Sequence, residues 1–489
     1  MKEQKEHHQR LVGWDDMPRV SAKRSCFCLL LASAVILFFL WPEPSTDPLP
    51  PITSPIVQAG EWIEVTEETE GTPREEEVPK EKPWFLSEGT LMPTHWPIGV
   101  KSGLWPAQAP PGYDRIVEQL MFRPPRSFQD GEAKEKSQNL KTILLFNGLN
   151  AWYKLKPGRS AFSNCPVDTC KVTSSKSESR RADAILYKDH FVHPGHPKIN
   201  KQVWIIYHLE CPYHTQHVKY NDVFNWTSTY RRDSDIVAPY EKFVYYDPKV
   251  RTASKPLRNY AANKTKLVAW FVSNCGARNG RLQYAHELQK YISVDIFGAC
   301  GSKKCPRSNE KKCFEMLNNE YKFYLAFENS NCKDYITEKF FRTGLGHDIL
   351  PIVMGARPDD YKETAPEHSY IHVDDFDSPR SLAEFLLLLD KDDDAYNAYF
   401  KWKGLGEFIN TFYFCRLCAM LHDEIPMKSY RDINEWAWPV PISEQLKALK
   451  LIRGTNFFHS TVNRDAVVDR LLPSAVSPSG SASFQQLTQ

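Results

Sequence analysis

The chain has 489 residues, which is too long for one ordinary domain and long enough for two domains with sizeable cores. Its formal net charge is only +2, from 62 lysines and arginines against 60 aspartates and glutamates. This near balance argues against a nucleic-acid-binding protein, which needs a strongly basic surface.

An uncharged apolar run near the N-terminus, from Cys26 to Trp41, predicts a transmembrane segment over residues 25–41. Basic residues precede the run, so residues 1–24 are expected to stay cytosolic and the rest to enter the lumen, as in a single-pass type II signal-anchor protein. The run is short, which favours a thin early-secretory membrane. A cleaved signal peptide is the alternative, but the run ends in FFLWPEP and lacks the small residues of a cleavage site.

Cysteine usage indicates an oxidising compartment. All of the twelve cysteines except Cys26 and Cys28 follow the predicted anchor, and an even number there suggests disulfide bonds. The CRLC sequence could also be a redox or zinc half-site, but no second CxxC with suitable spacing accompanies it. Two N-glycosylation sequons, at Asn225 and Asn263, indicate the same compartment.

Two segments are predicted to be disordered. Residues 42–135 are rich in proline and acidic residues, and such a segment cannot bury enough apolar surface to offset the entropy of ordering. We predict a lumenal stem there, with at most a short helix in PPGYDRIVEQLMF. Residues 466–489 are low in complexity and are predicted to be a disordered tail.

Ordered structure is predicted to begin at the apolar run LKTILLFNG, which reads as a buried strand. Further strands are predicted in ADAILYK, QVWIIYHLE, KLVAWFVSN, SVDIFG, YKFYLAFEN and ILPIVMG. Strands alternate with the helical patterns NGRLQYAHELQKYI and DYITEKFFRTGLG, which indicates parallel α/β units. They form two groups, predicted as domains at 136–255 and 256–405 that face one another across a cleft. Residues 406–465 are predicted to form a helical segment.

The stretch FENSNCKDYITEKF, residues 327–340, follows a predicted buried strand and has the pattern of a ligand site. In parallel α/β folds ligands bind at the carboxyl ends of strands, and phosphates favour helix N-termini. We predict that a helix begins near Asp334, that Glu338 can accept hydrogen bonds from a ribose diol, and that Lys339 can neutralise a phosphate. From the residues alone, a capped helix with an exposed Glu–Lys pair is the alternative.

Four blocks of the chain together resemble the α1,3-fucosyltransferase family over roughly residues 140–423: YRRDSDI…PY, KLVAWFVSN, KFYLAFENS…DYITEKF and YIHVDDFDSP. The resemblance implies a GT-B-like fold of two Rossmann-like domains that transfers fucose from GDP-fucose with inversion, in the Golgi. FVSNCGARNGRLQ is similar to the invertebrate and plant branch that acts on the N-glycan core, because Lewis-type enzymes typically have Trp where Cys275 stands. There are two alternatives. The enzyme could fucosylate antennal GlcNAc, or the chain could be a non-catalytic lumenal protein that binds a sugar nucleotide or acts as a lectin.

The resemblance also implies the residues that hold the donor. These GDP-fucose contacts are Arg281, Asn329, Tyr335, Glu338 and Lys339, of which Lys339 and Arg281 meet the diphosphate. Negative charge grows on the GDP oxygens as the fucosyl bond breaks. Fixed cations at that place would therefore stabilise the transition state more than the ground state.

An inverting displacement needs a base on the acceptor hydroxyl, opposite the leaving group. The family has Glu-Ser-Pro after a strand, with the Glu as base, and this chain has Glu210-Cys211-Pro212, so Glu210 is the predicted base. The cysteine leaves the local hydrogen bonding open, and a strand-end glutamate in a surface loop is the alternative. His208 and His214 flank Glu210 and could contact the acceptor or be structural.

No metal ligand is predicted. Asp233-Ser234-Asp235 forms a DxD string, which chelates a metal–nucleotide in another glycosyltransferase class, but the family resembled here has no DxD metal site. Mn²⁺ is expected at most to stimulate. The resemblance implies that Cys165 and Cys170 pair with Cys415 and Cys418; it implies no pairing for the remaining six lumenal cysteines.

Overall fold

The structure is a computed structural model that describes residues 81–93, 103–124, 140–423 and 428–437, all of which belong to one compact unit. The predicted cytosolic residues 1–24, anchor at 25–41 and tail at 466–489 lie outside the described residues. Among the residues that are described, no helix combines the length and the apolar character needed to cross a membrane.

The first sheet has five parallel strands in the order β2-β1-β3-β4-β5. Its strands are β1 Lys141–Leu145, β2 Cys170–Thr173, β3 Ala184–Lys188, β4 Val203–His208 and β5 Trp226–Thr229. The apolar runs of β1, β3 and β4 are buried along nearly their whole length, as a parallel sheet covered on both faces requires. The three strands predicted in this region are confirmed, whereas β2 and β5 were missed because at least half of the side chains in each are polar.

A short strand, β6 (Lys242–Tyr245), follows this sheet and pairs antiparallel with β12 (Gly406–Ile409) near the end of the described chain. The second parallel sheet lies between them in sequence and has the order β11-β10-β9-β7-β8. Its strands are β7 Lys266–Phe271, β8 Val294–Phe297, β9 Tyr321–Phe327, β10 Leu350–Met354 and β11 Ile371–His372. The predicted α/β class is therefore confirmed, and the chain contains two five-stranded parallel sheets.

The two sheets share one connectivity. In each sheet the first strand pairs with the second strand on one side and with the third strand on the other. The chain therefore reverses its direction of travel between β1 and β3, and again between β7 and β9. In doubly wound sheets of this order, ligands bind outside the carboxyl ends of the strands at that switch point. The fold thus contains two such positions, one in each domain.

The helices cover the second sheet more fully than the first. They are α1 Ile116–Leu120, α2 Arg281–Leu288, α3 Glu310–Glu320, α4 Pro358–Thr364, α5 Pro379–Lys391, α6 Asp393–Ala398, α7 Tyr413–Leu421 and α8 Ile433–Ala437, with a π-helical segment at Lys339–Leu345. The helix predicted to begin near Asp334 begins at Lys339 instead. Asp334 has a left-handed backbone (φ 59°), and its carboxylate accepts hydrogen bonds from Arg232, so it is not part of a helical turn.

The end of the described chain returns to the first domain. The segment predicted as helical at 406–465 begins with strand β12, and α7 packs its buried face on the core of the first sheet. Disulfides Cys165–Cys415 and Cys170–Cys418 fix α7 there. This confirms the pairing that the family resemblance implied and specifies the partners.

Part of the predicted disordered stem, 42–135, is folded. In the described ranges 81–93 and 103–124, Leu104 and Ile116 are fully buried, and Phe85 packs in a cluster with Val237 and Ile409. The prediction was wrong here because it weighed the prolines and acidic residues and overlooked the apolar side chains of residues 84–122. The short helix expected in this stretch is α1.

Candidate active site

The loop after β9, residues 328–339 and here called the β9 loop, is organised by a buried carboxylate. Glu328 is fully buried, and it accepts hydrogen bonds from Thr337 N (2.8 Å), Thr337 Oγ1 (2.9 Å) and Lys339 Nζ (2.9 Å). Burial raises the pKa of Glu328, although the Lys339 ammonium opposes that rise. Glu328 therefore folds the loop back on itself and fixes Lys339 at the carboxyl edge of the second sheet.

Lys339 remains a cation in this setting. Its Nζ also donates to Thr337 Oγ1 (2.8 Å) and lies 3.3 Å from Oε1 of Glu338, whose side chain is about half exposed. Burial disfavours the charged ammonium, but the carboxylates of Glu328 and Glu338 outweigh burial and raise the pKa of Lys339. A lysine that is charged and partly accessible is suited to a point-charge contact with a phosphate.

Arg281, the first residue of α2, spans the switch point of the second sheet. Its Nη1 donates to Phe327 O at the end of β9 (2.8 Å), and its Nη2 donates to Asn274 O in the loop after β7 (3.0 Å). The side chain is only 3% exposed, and burial lowers the pKa of its guanidinium. Arg281 therefore lies at the carboxyl end of β9, covered by protein and bound to two backbone carbonyls.

Two polar atoms near this strand end have no partner within the described residues. Arg281 Nε and Asn329 Oδ1 are both buried and make no hydrogen bond there. A buried polar group without a partner costs about 1–3 kcal/mol, so such groups usually mark a ligand, a water or a strained site. Arg281, Asn329 and Lys339 together surround the carboxyl end of β9.

The predicted base lies on the loop after β4, residues 209–214 and here called the β4 loop, beside the β9 loop. Oε1 of Glu210 accepts hydrogen bonds from Cys211 N (3.0 Å) and from the hydroxyl of Tyr335 (2.6 Å). Within the described part of the chain, both of these hydrogen bonds to the Glu210 carboxylate go to Oε1. Tyr335, predicted as a donor ligand, is 2% exposed, and its hydroxyl is directed to Glu210.

Burial keeps Tyr335 a hydrogen-bond donor. Burial raises the pKa of its phenol well above the usual value, with further contributions from Tyr240 and Glu210. Its ring packs against Tyr230 at a centroid distance of 5.0 Å. Tyr335 therefore stays protonated and orients the Glu210 carboxylate.

The two loops are also joined covalently. Cys211 of the β4 loop and Cys332 of the β9 loop form a disulfide with a Cα–Cα distance of 6.2 Å. His214 Nε2 and Ser330 Oγ lie 3.1 Å apart across the same junction. Sequence reasoning left these cysteines unpaired; the signal was the Cys at position 211, where the family has Ser, together with a Cys in the β9 loop. The other two disulfides are Cys275–Cys300 and Cys305–Cys313.

The DxD string binds protein groups. Asp233 pairs with Arg231 (2.6 Å) and Lys333 (3.0 Å). Asp235 is fully buried and accepts hydrogen bonds from Thr227 N and the Tyr430 hydroxyl, both at 2.9 Å. These contacts are those of a polar turn.

A cavity of about 450 Å³ opens at the switch point of the first sheet. It lies at the carboxyl ends of β1 and β3, and its walls include Asn147, Lys176, Lys188 and Asp189. Asp189 N donates to Tyr207 O in the neighbouring strand β4, three residues before Glu210. The cavity thus lies one strand away from the predicted base.

The two predicted glycosylation sites differ in accessibility. Asn263 is exposed. Asn225 is 3% exposed; its Oδ1 accepts from Trp204 N (2.9 Å) and its Nδ2 donates to Lys428 O (2.8 Å). The buried setting of Asn225 does not favour a glycan on Nδ2, whereas the side chain of Asn263 is accessible to one.

The two sheets bring cationic side chains at one switch point next to a carboxylate on the neighbouring loop, an arrangement that suits a phosphorylated ligand at the strand ends. Two family models match the chain: "Fucosyltransferase, N-terminal" over residues 138–241 and "Glycosyltransferase family 10 (fucosyltransferase) C-term" over residues 261–436. The chain therefore belongs to glycosyltransferase family 10, the fucosyltransferases, and the family predicted from the sequence motifs is confirmed.

Several known proteins are similar to the chain. The glycoprotein 3-alpha-L-fucosyltransferase A of Drosophila melanogaster is 57% identical over 382 residues, which cover 75% of each chain. The human 4-galactosyl-N-acetylglucosaminide 3-alpha-L-fucosyltransferase FUT6 is 37% identical over 278 residues, 55% of this chain and 75% of that one. A crystal structure of an alpha1,3-fucosyltransferase with GDP-fucose matches 68% of this chain and 97% of that chain, with 16% identity and a TM-score of 0.37.

Proposed function

We propose that the chain transfers L-fucose from GDP-fucose, in α1,3 linkage and with inversion, to the innermost Asn-linked GlcNAc of N-glycans. The observation that carries the proposal is the contact between Glu210 and Tyr335, because it unites a strand-end carboxylate of the first domain with the loop that holds Lys339. The similarity to a Drosophila enzyme named for α1,3 transfer to glycoproteins supports the same function.

The donor would lie at the carboxyl end of β9. Lys339 would place its ammonium on the diphosphate, and Glu338, which is exposed beside it, would reach the ribose hydroxyls. Arg281 has one unpartnered nitrogen, Nε, so its part is to hold the strand ends together and to contribute positive charge. As the bond to fucose breaks, these cations stabilise the negative charge that develops on GDP.

The acceptor would lie on the side of the first domain. The segment that follows β1 is a three-residue 3₁₀ helix, Leu149–Ala151, instead of the long helix whose N-terminus binds phosphate in doubly wound folds. The walls of the cavity at the switch point of the first sheet offer amide, ammonium and carboxylate groups, such as Asn147, Lys188 and Asp189, that can bind sugar hydroxyls. A volume of about 450 Å³ falls within the usual range for ligand pockets, roughly 300–1,000 Å³.

The proposed reaction is a single displacement. Oε2 of Glu210 takes the proton from the 3-hydroxyl of the acceptor GlcNAc as that oxygen attacks C1 of fucose. The C1–O bond to GDP breaks on the opposite face, and the electron pair leaves with the diphosphate. The anomeric configuration inverts because the attack and the departure occur on opposite faces. The Tyr335 hydroxyl holds Oε1 and so aims the other carboxylate oxygen.

We further propose that the protein is a single-pass type II membrane protein of the Golgi, anchored by residues 25–41 with the catalytic region in the lumen. Five disulfides among the described cysteines fit an oxidising compartment. No metal has a place in the proposed mechanism, and Mn²⁺ would act only as a stimulator. Transfer should therefore continue in the presence of a chelator.

The runner-up acceptor is antennal GlcNAc, which the similarity to a human enzyme named for 4-galactosyl-N-acetylglucosaminide supports. The full-length chain, purified in detergent, can be incubated with labelled GDP-fucose and either a core N-glycan or an N-acetyllactosamine acceptor. We expect label on the core glycan and at the Asn-linked GlcNAc. Label on the lactosamine alone would establish the runner-up, and GDP binding without any transfer would establish a non-catalytic binding protein.

A further inference from the structure

We propose that the Cys211–Cys332 disulfide is a positioning clasp, which holds the base Glu210 against the donor-binding β9 loop during turnover. The inference rests on the proposed function, since it takes Glu210 as the base and the β9 loop as part of the donor site. It assigns a positioning role in catalysis to two cysteines that are bonded to each other.

The clasp encloses the contact between base and donor loop. Cys211 directly follows Glu210, and its backbone N–H donates to Oε1 of that carboxylate (3.0 Å). Cys332 lies three residues before Tyr335, whose hydroxyl donates to the same oxygen (2.6 Å). The S–S bond therefore closes a ring that contains the Tyr335–Glu210 hydrogen bond, between segments 121 residues apart in sequence.

The other four disulfides between described residues do not connect these loops. Two of them tie α7 to the first domain, through Cys415 and Cys418. The remaining two close short segments within the second domain, with sequence separations of 25 and 8 residues. Within the described part of the chain, the clasp is the one covalent link between the β4 loop and the β9 loop.

The junction has a non-covalent scaffold of its own. Arg232 donates from its backbone N–H to Oδ2 of Asp334 (3.0 Å) and from Nε to Oδ1 of the same residue (2.8 Å), and it also reaches Asp360. His214 and Ser330 add a further contact. These bonds keep the two domains in register when the disulfide is absent. Loss of the clasp should therefore loosen the position of Glu210 more than it lowers the stability of the fold.

Positioning of this kind has a large effect on rate. A base must lie within hydrogen-bonding distance of the proton that it removes, and a misplacement of about 1 Å can lower the rate by about 10²-fold. Loops at domain junctions normally move when domains open and close. The disulfide at Cys211, one residue from the base, restricts movement of the β4 loop relative to the β9 loop. Such movement would displace Glu210 from the acceptor hydroxyl.

The test compares two double variants of the full-length chain. Cys211→Ser/Cys332→Ser removes the clasp, and the matched control Cys305→Ser/Cys313→Ser removes a disulfide within the second domain. We expect kcat of the clasp variant to fall about 10- to 100-fold, while its GDP affinity and thermal midpoint stay close to those of the control. A fall in kcat no larger than in the control would overturn the proposal.

A second readout separates positioning from a purely structural role. If the clasp acts through Glu210, removing it in a Glu210→Gln background should change kcat by less than about threefold, because the two effects are then not additive. If removing the disulfide lowers kcat by the same factor in the wild-type and Glu210→Gln backgrounds, the clasp proposal is overturned and the proposed function stays intact. A wild-type chain that transfers no fucose would overturn the proposed function itself.

If the clasp variant does not fold, the folded wild-type chain gives the same information. Cys332 is half-buried and Cys211 is fully buried, so a phosphine reductant is titrated on the folded chain until this disulfide opens. Peptide mass spectrometry after alkylation reports which bonds have opened. We expect the loss of kcat to follow the opening of Cys211–Cys332. Retained kcat with this bond open would contradict the clasp.

Discussion

The hydroxyl of Tyr335 donates a hydrogen bond to Oε1 of Glu210 over 2.6 Å, so a residue of the β9 loop holds the carboxylate of a residue of the β4 loop. A tyrosine that binds the donor and a glutamate that binds the acceptor could each act without touching the other. In the proposed mechanism, their contact makes the orientation of the base depend on the loop that would bind the nucleotide.

Tyr335→Phe should lower kcat and leave GDP affinity nearly unchanged. A hydrogen bond to a charged group contributes about 1.5–3 kcal/mol, which corresponds to a fall in kcat of roughly 10- to 100-fold if it is used for orientation. The matched control is Tyr361→Phe, which removes a buried hydroxyl that has no hydrogen-bond partner within the described residues. Reduced GDP affinity with normal kcat, measured by calorimetry and steady-state kinetics, would make Tyr335 a donor ligand instead.

Lys339→Ala should weaken GDP binding by about 10- to 100-fold, since a charge-assisted contact contributes about 1.5–3 kcal/mol. It should also destabilise the fold, because Glu328 is fully buried and would lose its cation. Adding Glu328→Gln should recover part of the stability but none of the GDP affinity. Lys333→Ala, in the same loop but paired with Asp233, is the control. Calorimetry showing unchanged GDP affinity in the Lys339 variant would contradict the donor assignment.

His208 should make stability depend on pH. Burial, with a smaller contribution from His190, lowers the pKa of this imidazole from 6.5 to about 4, so the folded chain holds it neutral. Between those two values the unfolded chain binds more protons than the folded one. The free energy of unfolding therefore falls as pH drops below about 6.5.

The contribution of His208 can be isolated with His208→Gln. Comparing urea unfolding at about pH 7.5 and about pH 5, the wild-type chain should lose at most about 2 kcal/mol more than the variant. Equal losses in both proteins would show that the imidazole keeps an ordinary pKa in the fold.

Glycosylation should occur at Asn263 and not at Asn225. Asn225 uses both amide atoms in buried hydrogen bonds to Trp204 and Lys428, whereas Asn263 is exposed. Asn263→Gln should remove the mass of one glycan, and Asn225→Gln should leave the mass of the glycans unchanged while lowering the thermal midpoint. Peptide mass spectrometry that finds a glycan on Asn225 of the folded protein would contradict this placement.

The fold could be predicted where apolar runs are long. A run such as YKFYLAF in β9 is buried along its whole length, so its sequence alone indicates a central parallel strand. β5 reads WTST and carries three hydroxyl side chains; it is buried because its neighbours, including Asp235, satisfy those groups. The burial of β5 therefore depends on tertiary contacts, and the local sequence pattern does not predict it.

The candidate site could be predicted in its parts but not in its connections. The motif around Glu338 and Lys339 has a recognisable order of residues, and so does the Glu210 segment. The link between them is formed by Cys211 with Cys332 and by Glu210 with Tyr335, across more than a hundred residues of chain. The periodicity of a sequence does not predict contacts between residues so far apart in the chain. These contacts depend on how the two sheets are arranged in space.

The central claim is that Glu210 is the base for transfer to the acceptor, and Glu210→Gln tests it most directly. The variant keeps the shape and one hydrogen-bonding oxygen, but it cannot take a proton. Glu287→Gln, a partly exposed glutamate of α2 that pairs with Lys290, is the control. We predict that fucose transfer to a core N-glycan falls about 10²- to 10⁴-fold while GDP affinity stays unchanged. Transfer at a near-normal rate would contradict the account and direct attention to another group at the junction, such as His214.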